Sequence, residues 1–239
     1  MDELVRLNKT MAMLGICSRR EADVLIKNCE VKINGQVQNE IGVRISKTDI
    51  ISVRDRNYSL KRNVSTPRVW LYYKKRGFIT SHKDEKNRPT IFDDVKDRIK
   101  GRVISIGRLD LNSEGLILLT NNSEFARFAE SPKTAWKRVY RVRVFGQITD
   151  KIVCTLRDGI IIEGINYAPI KVTISSSGSR NMWCECVLSE GKNREIRKIF
   201  EHFGIIVNRL IRYKYGPYDI GNMAVGEVKE IFEIYRGVF

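Results

Sequence analysis

The sequence predicts an α+β protein: a small module of two helices plus a small sheet over residues 1–60, then a larger domain over 68–239 built on a mainly antiparallel, mixed sheet with flanking helices. Three observations carry that expectation. Two stretches with helical apolar spacing come before the first short alternating segments. A run without period, Leu60-Lys61-Arg62-Asn63-Val64-Ser65-Thr66-Pro67, reads as a linker over 61–67. Beyond it lie many short strand candidates, with few helices between them: VWLYY, GFITS, VISIG, GLILLT, VYRVRVFG, APIKVTIS, MWCECVLS and RLIRYKY. Short loops between successive strands favour antiparallel pairing over a βαβ repeat.

Each element has a local reason. VRLNKTMAMLG carries helical spacing and stops at Gly15. Ser18-Arg19-Arg20-Glu21 fits a capping box, in which the serine oxygen accepts from the Glu21 backbone and the Glu21 carboxylate reaches back. The helix it starts places Ala22, Leu25 and Ile26 on one side. Val31-Lys32-Ile33 alternates like a strand, Asn34-Gly35 is a strong hairpin-turn signal, and Asp49–Val53 supplies another strand. In the larger part, helices are expected near 123–130 and from Asn193. On the second of these, Ile196, Ile199, Phe200 and Phe203 form a core stripe and Gly204 a stop. Trp70, Trp136 and Trp183 read as packing residues.

The chain is long enough to bury a sizeable core. Its 43 Lys and Arg against 28 Asp and Glu leave a net charge of +15. Much of that charge is clustered, which suits a polyanionic partner, because each phosphate contact releases counterions. No apolar stretch approaches the roughly 20 residues that span a bilayer, and MDELVRLNK does not resemble a secretion signal; a cytoplasmic protein without membrane contact is expected. Five cysteines form no Cys-x-x-Cys pair, so reduced thiols are expected rather than disulfides or zinc. Cys184 and Cys186, two apart on one strand, would share the core face. His82 and His202, the only histidines, indicate neither a metal site nor a catalytic triad.

On local spacing alone, GRLDLNSEGLILLTNN places Asp110 in a turn feeding a buried strand. Tyr140, in register with Val142 and Val144, would be core. Arg197 would be a surface arginine beside the helix stripe, and the N-terminal cations a solvated helix face.

The stretch RLNKTMAMLGICSRREADVLIKNCEVKINGQ, most specifically GICSRREAD and INGQ, resembles the alpha-L RNA-binding domain shared by a small-subunit ribosomal protein and several RNA-modifying enzymes. That resemblance implies that the Ser-Arg-Arg helix faces an RNA backbone, with Arg6, Lys9, Arg19 and Arg20 as RNA-binding residues. Four later motifs, VISIGRLDLNSEGLILLTNN, KRVYRVRVFGQ, SEGKNREIRKIFEHFG and RLIRYKYG, occur in order. Together they resemble the RsuA-type branch of bacterial ribosomal RNA pseudouridine synthases, and its large-subunit members most. The likeness runs from Arg6 to about Tyr218. It implies that Asp110 is the catalytic carboxylate, Tyr140 the active-site tyrosine, and Arg197 the basic partner of the aspartate. Arg108 is implied around the flipped nucleotide, and Arg194, Arg209 and Arg212 along the RNA path, the last two with Lys214 on a basic strand edge. One departure stands out: such enzymes commonly carry proline after the lysine of the first strand, and here the run is Tyr73-Lys74-Lys75-Arg76-Gly77.

The chemistry suits those roles. Isomerising uridine breaks a carbon–nitrogen glycosidic bond and rejoins the base through carbon 5. There is no redox change and no group is lost, so neither cofactor nor metal is required. An adjacent guanidinium would keep a secluded carboxylate ionised. Asp110 could then attack the sugar, add to the base, or abstract a proton. The expected partner is ribosomal RNA, naked or within an assembling subunit, and the expected state is monomeric. The alternatives are a small-subunit synthase and a non-catalytic assembly factor on the same fold. A nucleic-acid hydrolase is less well supported, because metal-dependent nucleases need clustered carboxylates.

Overall fold

The computed structural model describes residues 4–59, 68–82, 84–177 and 181–232; the linker expected over 61–67 lies outside them. Those residues form two compact units, one drawn mainly from the chain up to Arg68 and the other mainly from Val69 onward.

In the first unit, helices Leu7–Met13 and Arg19–Lys27 pack on a four-stranded antiparallel sheet. The capping box forms as expected. Ser18 Oγ accepts from Glu21 N at 3.2 Å, and Glu21 Oε2 accepts from Ser18 N at 2.9 Å. Asn34 and Gly35 both adopt positive φ, 50° and 85°, as a two-residue turn between Val31–Ile33 and Gln36–Gln38 requires. Leu7, Met11, Ala22, Ile26, Val31 and Ile51 make the core.

The second unit is built on one mixed sheet. Its main path runs Lys171–Ser177, Asn181–Leu188, Arg138–Phe145, Ile206–Tyr215, Glu114–Thr120, Val69–Lys74 and Val228–Ile231. Every pairing is antiparallel except that between Ile206–Tyr215 and Glu114–Thr120, in which Ile211 meets Glu114 and Arg212 meets Gly115. The helices expected in this part are Ser123–Glu130 and Glu195–His202. Asp150–Asp158 adds another, with a hairpin of Ile160–Ile162 and Ile165–Tyr167. GFITS is not a strand. Gly77 turns the chain at a φ of +87°, and only an isolated bridge joins Ile79 to Thr90.

Buried side chains follow the expected pattern. Val142, Val144, Cys184 and Cys186 are buried, and all five cysteines are free. Trp136 sits edge-on to Phe125, Phe128, Tyr215 and Tyr218, at centroid distances of 5.8–6.3 Å. No helix among the described residues is long and apolar enough to cross a membrane.

Candidate active site

The turn that carries Asp110 is held from five directions. Gly107 N donates to Glu130 Oε1 at 2.6 Å. The Thr80 hydroxyl donates to Leu109 O and accepts from Leu109 N, at 3.0 and 3.3 Å. Gly77 N donates to Leu111 O at 2.8 Å. Arg197 Nη2 donates to Asn112 O at 3.1 Å. Beneath the turn lies Lys74, which is fully buried. Its ammonium donates to the carbonyls of Lys75, Asp110 and Ser113 at 3.0, 3.1 and 2.7 Å. Burial pulls its pKa down to about 8, with the charges of Asp110 and Glu114 opposing that fall. An ordinary-looking lysine at the end of VWLYYK thus ties both ends of the Asp110–Ser113 turn to the first strand.

Asp110 stands at the edge of a cavity of about 130 Å³. The same cavity is lined by Arg108, Tyr140, Arg194, Glu195, Leu210 and Arg212, among others. Its size suits one six-membered ring, since a cavity of roughly 150 Å³ accepts benzene. Tyr140 is almost fully buried and is the strand partner of Arg212. Tyr140 is thus both buried in the sheet and part of the cavity lining.

The arginines differ from expectation. The resemblance implies a direct pair between Arg197 and Asp110, but Arg194 is the one within ion-pair distance, with Nη1 3.8 Å from Asp110 Oδ2. Arg197 sits within the first turn of its helix and is half-buried, so its guanidinium turns to backbone: Nη1 donates to Val207 O at 2.8 Å, alongside the bond to Asn112 O. Burial and the neighbouring Arg194 charge both work against the charged form of Arg197, and Asp110 favours it. Arg194 precedes that helix in a left-handed conformation, φ 52°, with its head half-exposed toward the carboxylate. The two arginines divide the work expected of one, Arg197 tying down the loop and Arg194 facing the charge.

Arg212 is also a correction. Expected on a basic strand edge, it is instead 2% exposed, because its position alternates inward with Leu210. Its Nε donates to Leu116 O at 2.8 Å, and its guanidinium lies 5.0 Å from the Tyr215 ring centroid. Arg209 is exposed but forms two bonds to Glu114, at 3.0 and 2.8 Å, across the parallel strand pair. Arg108 is exposed at the cavity, and Leu109 is buried. In the first unit, Arg6, Arg19 and Arg20 are exposed and Lys9 is half-buried.

Sequence reasoning missed Lys74, Thr80 and Glu195. The available signal was polar residues interrupting apolar periodicity: a lysine closing a β-branched and aromatic strand, and a glutamate at the start of an apolar helix. Among the described residues, no group of three or more His, Cys, Asp or Glu could hold a metal ion.

Comparison with known proteins gives this arrangement its context. Residues 68–202 match the family model described as RNA pseudouridylate synthase, and residues 5–51 match the S4 domain. An uncharacterised RNA pseudouridine synthase of Rickettsia typhi is 44% identical over 228 residues, 95% of this chain and 92% of that one. The ribosomal large subunit pseudouridine synthase B of Bacillus subtilis is 35% identical over 228 residues, 95% of this chain and 91% of its own. A crystal structure of a pseudouridylate synthase aligns with a TM-score of 0.66 at 26% identity, covering 95% of this chain and 96% of that one. With its carboxylate on a pinned turn above a ring-sized cavity and an RNA-binding module ahead of it in sequence, the chain belongs to the RNA pseudouridylate synthase family.

Proposed function

We propose that this protein converts a specific uridine of large-subunit ribosomal RNA to pseudouridine, with Asp110 as the catalytic carboxylate. The observation that carries the reading is the placement of that carboxylate, held by its turn at the mouth of a cavity shared with Tyr140 and Arg194. The large-subunit assignment draws on relatives named for that activity.

The reaction places three demands on the protein. The target base must leave its stack, which costs a few kcal/mol and is offset by contacts within a pocket. Tyr140 offers a ring against which the extruded base stacks. The Asp110 carboxylate must then act on the nucleotide as nucleophile or base, with the Arg194 guanidinium facing it at 3.8 Å. Finally, the bond from the ribose carbon to N1 breaks and a bond to carbon 5 forms. The proton leaves carbon 5 and N1 gains one, so atoms balance with no external reactant. The N-terminal unit, through Arg6, Lys9, Arg19 and Arg20, holds the RNA backbone.

The test is Asp110→Asn. Pseudouridine formation is expected to disappear while RNA affinity stays within about twofold, because the substitution keeps shape and removes one negative charge. Full activity in the variant would remove Asp110 from the chemistry. Loss of binding together with activity would make it a structural residue. Mapping pseudouridines in both ribosomal subunits with and without the protein tests the choice of RNA, and a changed site confined to the small subunit would overturn it.

A further inference from the structure

Two residues that line the cavity each carry a buried side-chain atom with no hydrogen-bond partner among the described residues: Arg212 Nη2 and Glu195 Oε1. Both residues line the cavity, and they are 2% and 4% exposed. Each is fixed by its other atoms. Arg212 is held through Nε to Leu116 O and by the Tyr215 ring, while Glu195 Oε2 accepts from Lys192 N at 2.8 Å. Leaving a buried donor or acceptor unmade is unfavourable, and no ion pair joins the two side chains. The lining of one cavity therefore includes a residue with an unanswered donor and a residue with an unanswered acceptor, together with Asp110.

The edge of uracil carries carbonyl oxygens on either side of an N–H. Cytosine instead presents a ring nitrogen lone pair and an amine. Enzymes that extrude a base read it by hydrogen bonds to this edge and by stacking. We propose that Arg212 and Glu195 are specificity residues that read the edge of the target base, Arg212 Nη2 donating to a uracil carbonyl and Glu195 Oε1 accepting from N3–H. The proposal rests on the assignment of this cavity to the flipped uridine. It gives Arg212 a role different from phosphate contact along a strand edge. Burial raises the Glu195 pKa, and the Glu190 carboxylate adds to the effect both by its charge and by a hydrogen bond to the protonated Glu195 carboxyl, so the acceptor is tested at high pH.

The test uses a ribosomal RNA fragment whose uridine the wild-type protein has been shown to convert. It is synthesised with uridine, 2-thiouridine, 4-thiouridine or cytidine at the target. Sulfur is a weak acceptor, so one of the two thio substitutions should slow wild-type single-turnover conversion about tenfold, the effect of one lost charge-assisted bond. In Arg212→Met that substitution should produce no further loss, and in Arg212→Lys, should the first fold poorly, a smaller loss than in the wild type. At pH 8.5 the wild type should bind the uridine fragment more tightly than the cytidine one. Glu195→Gln should narrow that ratio about tenfold, since an amide can turn its NH₂ toward the cytosine nitrogen. Wild-type indifference to both sulfur positions, equal sulfur losses in wild type and Arg212 variants, or an unchanged ratio in Glu195→Gln overturns the proposal. A wild-type protein that converts no ribosomal uridine refutes the functional reading instead, so the two failures are distinguishable.

Discussion

Replacing Lys74 by methionine should damage activity far more than stability. The substitution keeps length and apolar stem and deletes the ammonium that donates to Lys75 O, Asp110 O and Ser113 O. Asp110 O retains a second donor, Ser113 N at 3.0 Å, so the loss falls on the carbonyls of Lys75 and Ser113. At about 1–3 kcal/mol each, that costs about 2–6 kcal/mol. The opposing term comes from removing a buried charge. A pKa lowered from 10.5 to about 8 corresponds to roughly 3 kcal/mol, which the variant no longer bears. The two terms nearly cancel, and a net loss below about 3 kcal/mol is expected. The turn, however, loses its tether to the first strand, and a displacement of 1 Å at a reacting group can cost about 100-fold in rate. Urea unfolding followed by circular dichroism gives the first quantity, and single-turnover pseudouridine formation at saturating RNA gives the second. A pH signature accompanies them. The folded value lies below the ordinary one, so the unfolded chain binds the proton more tightly. The wild type should therefore gain stability from this site between about pH 8 and 10.5, and the variant should lack that rise. Wild-type turnover in Lys74→Met would refute the tether, and a stability loss above about 5 kcal/mol would refute the cancellation.

Other perturbations separate the remaining roles. In Gly115→Ala, the new Cβ would lie 2.2 Å from Arg212 O and 2.7 Å from Arg212 N, at a φ of +106°. Both neighbours are backbone of the parallel partner strand, so a loss of at least about 3 kcal/mol is expected, and an unchanged urea midpoint would contradict it. Arg194→Met should leave the unfolding midpoint within about 0.5 kcal/mol, as a half-exposed residue would, while slowing the reaction. Arg197→Met should lose about 2 kcal/mol as well, because it removes the side-chain donors to Val207 O and Asn112 O; identical stability in the two variants would show that the arginines are not divided as described. Reversing the charge of Arg19 and Arg20 together should weaken RNA binding and lower the slope of log K against log salt by about 1–2. An unchanged slope would place the RNA elsewhere.

The local elements were legible because they depend on neighbours in sequence. The capping box at Ser18–Glu21, the Asn34-Gly35 turn and the alternation through Val142, Val144, Cys184 and Cys186 each follow from spacing alone. The motifs gave Asp110, Tyr140 and Arg197 as a set, and Asp110 and Tyr140 do line one cavity. What spacing could not supply was orientation across distant segments. Arg194 and Arg197 lie three apart on one short stretch of chain, and which one meets Asp110 depends on a left-handed residue at the helix start and on carbonyls offered by a loop and a strand. Arg212 sits in a run, RLIRYKY, in which charged residues alternate with apolar ones, and only its pairing against Tyr140 and Gly115 turns it into the cavity. Lys74 looks like a strand end until three carbonyls close around its ammonium. Sequence by itself determined most of the elements and the two-part organisation, because these depend on periodicity and turn chemistry. Tertiary structure alone decided which cation faces the carboxylate, which one holds the loop and which one waits in the cavity, because a charged group finds its partner across space and is then fixed by the cost of burying it unpaired.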